Sequence, residues 1–81
     1  MPSFLVESYV PKVADPASGE LARRLDAAAH ALGSEVIYVR AIFVPEDETC
    51  FYLFEGSSAE AVGSVARRAG LRYERILQAR P

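Results

Sequence analysis

The side chains able to do chemistry here are one carboxylate, Glu7, and a set of phenols and guanidiniums spread along the chain: Tyr9, Tyr38, Arg40, Tyr52, Tyr73 and Arg75. Together they suit a site for a small organic or anionic ligand. A tyrosine offers an apolar body whose hydroxyl still needs a partner, and a guanidinium can grip a carboxylate through two parallel hydrogen bonds. Glu7 is the candidate catalytic residue, a general base for proton abstraction from a small carbonyl compound or phenol, as in an isomerase or cyclase. Burial among rings favours its neutral acid, whereas a neighbouring Arg40 favours the carboxylate and is itself suited to a developing oxyanion. The structural alternative is a pair between Glu7 and Arg40 or Arg75 that ties strands together.

Other reactive types are sparse. His30 is the sole histidine, and a metal site needs several convergent ligands. Cys50 follows Glu46, Asp47 and Glu48, whereas an activated thiol wants a cationic neighbour or a helix N-terminus, so an inert, half-buried thiol is expected. Those acidic residues lack the alternating spacing and the glycine of a calcium loop and read as a solvated turn. No phosphate loop, nucleophile elbow or paired-histidine motif is present.

The elements that must position these residues follow from periodicity. Val36–Val44 and Cys50–Glu55 are apolar runs split by Pro45-Glu46-Asp47-Glu48-Thr49, which reads as a β-hairpin. Neither run alternates cleanly, so the hairpin is expected at the centre of a sheet with both faces covered. Ser3–Val10 is a first strand. After a loop rich in turn residues, with Asp15 or Ser18 available as N-cap, Leu21, Leu25, Ala28, Ala29 and Leu32 recur at helical spacing, with Gly33 as the stop. Ser57-x-x-Glu60 is a capping-box signature for a second helix, whose stripe is Val62, Val65, Ala66 and Ala69 and whose stop is Gly70. Gly63 within it costs on the order of 1 kcal/mol relative to Ala, which points to close packing on the sheet. Leu71–Ala79 is the last strand.

The order βαββαβ predicts an α+β, ferredoxin-like fold: a four-stranded antiparallel sheet with two helices on one face, within a single domain over residues 1–81. Sorting strand residues by parity puts Phe4, Val6, Ile37, Val39, Ala41, Phe43, Phe51, Leu53 and Ile76 under the helices. The opposite face then carries Leu5, Glu7, Tyr9, Tyr38, Arg40, Ile42, Cys50, Tyr52, Phe54, Tyr73, Arg75 and Leu77. Such a face is too apolar to leave to water. The expectation is a homodimer of the α/β-barrel type, sheet against sheet, enclosing either a ligand site or a dry interface.

Composition bounds the rest. Eighty-one residues, 51% apolar, give one small core. A net charge of −2 argues against nucleic acid, the one arginine cluster (Arg67, Arg68, Arg72, Arg75) reading as a solvated helix end. A lone cysteine excludes an internal disulfide. Met1 leads directly into a strand and no apolar run reaches spanning length, so a cytoplasmic protein without membrane, metal or cofactor partners is expected.

Phe4-Leu5-Val6-Glu7, the stretch Phe51-Tyr52-Leu53-Phe54-Glu55-Gly56-Ser57-Ser58-Ala59-Glu60-Ala61-Val62, Arg68-Ala69-Gly70-Leu71 and Glu74-Arg75-Ile76 resemble a small bacterial ferredoxin-like family of unknown function that includes a nickel-binding protein. The resemblance spans essentially the whole chain and implies a ferredoxin-like fold, commonly dimeric. Members commonly carry His where this chain has Arg40 and Cys where it has Tyr52. Arg cannot shed its proton to ligate a metal, so nickel binding is not carried over with the family. Four functional classes stand: a ligand-binding dimer, an accessory dimer whose open face is all interface, a small isomerase or cyclase using Glu7, and, as what the family resemblance alone implies, a nickel-binding protein.

Overall fold

The structure, a computed structural model, describes residues 1–14 and 19–80. Its elements are β1 (Ser3–Tyr9), α1 (Glu20–Ala31), β2 (Val36–Val44), β3 (Thr49–Gly56), α2 (Ala59–Arg68) and β4 (Arg75–Ala79), with one turn of 3-10 helix at Pro45–Asp47. All pairings are antiparallel, and the strand order is β2-β3-β1-β4. Each helix carries the chain past one strand: α1 returns it beyond β3 to β2, and α2 returns it from β3 beyond β1 to β4. This is the expected α+β, ferredoxin-like architecture. The hairpin is not central, however. β2 lies at an edge, because the split topology inserts β1 between β3 and β4.

The core lies between the sheet and the helices. Leu25 and Ala29 of α1 and Val62, Val65 and Ala66 of α2 meet Phe4 and Val6 of β1, Val36 of β2, and Cys50, Tyr52 and Phe54 of β3. Arg23, Arg24 and Asp26 lie on the wet side of α1, as its periodicity requires. The two helices are also tied directly, since Arg24 Nε donates to the Ala69 carbonyl at 2.9 Å, a cation at a helix C-terminus.

Several boundaries differ from the sequence reading. α2 is capped by Ser58, whose Oγ accepts from the Ala61 N–H at 3.1 Å, and not by Ser57, which instead donates to Glu35 Oε1 at 3.0 Å. β4 begins at Arg75 rather than Leu71, because Leu71 is drawn into the core and Ser8 Oγ donates to the Arg72 carbonyl at 2.6 Å. The proposed caps Asp15 and Ser18 lie outside the described residues. At the hairpin turn Glu48 adopts φ 48°, and its carboxylate accepts the Lys12 N–H at 2.9 Å, so this acidic residue fastens the segment that follows β1. Gly63 permits close approach: a Cβ there would lie 3.2 Å from the Tyr73 hydroxyl and 3.3 Å from Ile76 Cδ1, tight enough that these side chains would have to give way.

Candidate functional site

The face opposite the helices is a grid fixed by register. One row runs Ile42, Phe51, Glu7, Arg75 across β2-β3-β1-β4, and the next runs Arg40, Leu53, Leu5, Leu77. A third begins Ile37, Glu55, Ser3. Ile37 is 49% exposed and Ile42 41%, large values for isoleucines in a sheet. Glu7 and Arg75 are neighbours on this face, with Arg75 Nε 2.9 Å from Glu7 Oε1. The carboxylate base proposed from the sequence is thus already engaged by a guanidinium, in the pairing given above as the structural alternative. Arg40 is exposed, and neither it nor Glu55 forms an ion pair among the described residues. Tyr9 shares the parity of Glu7 and is 59% exposed at the end of β1.

The other three tyrosines leave the site. Tyr52 faces the helices at 2% exposure, beside Cys50 and Phe54 at 0%. Tyr38 also points inward, its ring 5.3 Å from that of Phe54. Tyr73 precedes β4 and meets α2, where Arg67 Nη1 donates to its hydroxyl at 3.2 Å. Tyr73 leaves because β4 begins only at Arg75; two further physical causes explain Tyr52 and Tyr38. β3 is apolar on both faces, so its phase had no alternation to fix it; Phe51 and Leu53 take the open side and Cys50, Tyr52 and Phe54 the core. β2 carries an irregularity between Tyr38 and Arg40, where Val39 is the extra residue. That bulge puts Tyr38 inward while leaving Arg40 and Ile42 outward, and it displaces Ile37 and Val39 from the predicted core face. Phe51, Leu53 and Glu55 were therefore missed as surface residues. Glu55 carried the available signal, because a carboxylate at the parity of Leu53 and Phe51 marks that side as the one away from the core.

Burial pushes the Cys50 thiol up, against smaller opposing effects of the Tyr52 hydroxyl and the Ile42 backbone. Burial likewise raises Tyr52, with the adjacent thiol acting in the same direction, and it raises Tyr38. All three hold their protons at neutral pH, which leaves Cys50 a packing residue and no nucleophile.

No cavity opens on the described residues, and no three His, Cys, Asp or Glu side chains converge among them. His30 stands on α1 with its side chain 80% exposed and Nδ1 3.7 Å from Asp26 Oδ2, while Cys50 is sealed in the core. The imidazole and the thiol share no surface, so among the described residues they do not converge on one nickel ion. No helix among the described residues is long and apolar enough to cross a membrane.

Curated proteins give no match to this sequence. Among solved structures, the crystal structure of SCO4226 from Streptomyces coelicolor A3(2) matches with a TM-score of 0.74 and 27% identity, over 95% of this chain and 94% of that chain. The sequence model described as nickel responsive protein SCO4226-like matches residues 4–78. With the ferredoxin-like fold and a match over nearly its whole length, the chain belongs to the SCO4226-like, nickel-responsive family.

Proposed function

We propose that this chain is a self-associating module whose open sheet face packs against that of a second copy, an accessory dimer rather than a catalyst. The observation that carries this reading is the apolar grid of Leu5, Ile37, Ile42, Phe51, Leu53 and Leu77 on the side away from the helices. A monomer would leave that patch to water. Strands of seven, nine, eight and five residues, at about 3.3 Å per residue and about 4.8 Å apart, give a footprint near 460 Å² before side-chain relief. That is the order of the ~800 Å² per partner of an ordinary stable interface. Catalysis by Glu7 draws little support, since its carboxylate is committed to Arg75 and no cavity adjoins it among the described residues. The family description speaks of a nickel response; among the described residues no His, Cys, Asp or Glu cluster supports direct ligation.

A second reading, a small anionic organic ligand held in the seam, is favoured by one observation: Arg40 is a cation without an ion-pair partner among the described residues, whereas Arg75 on the same face is paired with Glu7. Tyr9 and Arg75 would flank such a ligand.

Native mass spectrometry of protein purified without added metal, on a tag lacking histidines, tests both. A dimer mass that collapses to a monomer in Leu53→Lys, with unchanged circular dichroism, supports the seam. An additional organic mass on the dimer supports the ligand. A wild-type monomer at micromolar concentration refutes both.

A further inference from the structure

We infer that the two copies are locked in register by a reciprocal pair of salt bridges, Arg40 of each copy with the partner's Glu55. The inference rests on the self-association proposed above and names what sets its geometry. Arg40 lies opposite Leu53 in the register, and Glu55 lies two residues beyond Leu53 on the same strand, so both side chains belong to the open face. Of the four charges among the face's central rows, Glu7 and Arg75 satisfy each other. Arg40 and Glu55 form no ion pair among the described residues, although they are opposite in sign and stand on neighbouring strands. A charge carried into an apolar seam without a counter-charge opposes association strongly. The seam forms only if these two are answered.

Two-fold symmetry answers both at once. In an isologous interface, if residue i meets residue j of the other copy, then j meets i. One unmatched cation and one unmatched anion per copy therefore become two matched pairs per dimer. The geometry permits it. Arg40 and Glu55 are separated by one strand spacing and two residues of rise, about 8 Å between Cα atoms. An axis lying between the sheets, at right angles to the line joining these residues and through its midpoint, stacks each Arg40 over the partner's Glu55. Continued across the sheet, the same axis passes between Leu53 and Leu5, the apolar centre of the face. The arrangement that pairs the charges is thus the one that stacks apolar centre on apolar centre. Continued to β4 the axis passes beside Arg75, so the two Arg75 side chains face each other at the rim, each 63% exposed and neutralised by its own Glu7.

The experiment is a charge-swap cycle read as the dimer dissociation constant by analytical ultracentrifugation, using Arg40→Glu, Glu55→Arg and the double variant. Each single change is expected to weaken the dimer by at least about tenfold, the effect of breaking a desolvated charge pair. The double swap is expected to recover most of that loss, because the reversed pair still matches across the axis. Singles that dimerise as tightly as wild type, or a double no tighter than the weaker single, overturn the pairing while leaving the Leu53 test of the seam standing. A monomeric wild type overturns both. Arg40→Gln and Glu55→Gln, which remove charge without reversing it, give the same ordering should a swapped variant fail to fold.

Discussion

At the residue scale the ionisable groups that matter for stability are the buried ones, and they are neutral. Cys50 and Tyr52 sit in the core, each raised above its ordinary value by burial, with ordinary values of 9.0 for the thiol and 10.0 for the phenol. For an acid whose folded-state pKa is raised, the unfolded chain loses its proton first. The stabilising contribution is therefore whole below the unfolded-state value and is lost as pH rises through that value toward the folded one. The melting temperature should hold through neutral pH and fall above about pH 9. Tyr52→Phe removes the phenol and should make the alkaline descent shallower, whatever its effect at pH 7. Thermal melts at closely spaced pH values check this, and a wild-type profile that stays level through the thiol and phenol range contradicts it. Glu7 and Arg75 form the contrasting case: Arg75 is largely exposed, and such a pair contributes at most about 1 kcal/mol in a monomer.

Among the elements, α2 shows how two adjacent serines divide their work. Ser58 satisfies the Ala61 N–H at the start of the helix, and Ser57 holds the Glu35 carboxylate across the loop. Ser58→Ala should therefore cost about 1 kcal/mol, the usual loss of an N-cap. Ser57→Ala removes only an exposed side-chain contact and should cost a few tenths; equal losses in urea denaturation would contradict the assignment. The sequence placed this helix correctly but took the first serine of the pair, since Ser57 and Glu60 match the spacing that Ser58 and Ala61 use. The helices and the sequence of elements along the chain were legible because periodicity at steps of three and four, glycine stops and an acidic turn are local signals, whereas the edge position of β2 was not. Side assignment in the strands was less so. β1 sorted correctly, with Glu7 breaking its apolar run on one side only. β3 did not, since Phe51 to Phe54 is apolar at every position. The bulge at Val39 leaves no trace in composition at all, yet it decides that Tyr38 is a core residue and Arg40 a surface one.

For the whole molecule, one face of the sheet is covered by helices and the other by nothing among the described residues. A domain this small has few kilocalories of stability in hand from one core, so burying the second face bears on folding as well as on function. If folding and pairing are linked, the equilibrium is between a dimer and two unfolded chains, and the melting temperature rises with protein concentration. Unfolding enthalpies near 0.7 kcal/mol per residue over two chains of this length predict a rise of about 4 °C per tenfold increase in concentration. Leu53→Lys puts an ammonium group at the centre of the seam while leaving the helix-covered core untouched, since Leu53 and the core residues Tyr52 and Phe54 occupy opposite sides of β3. Its melting temperature should be lower than that of wild type and independent of concentration. Calorimetry across two decades of concentration separates the cases: a wild-type melt that does not move means the open face contributes nothing to the folded state, and the sheet would then have to be stable on a single core.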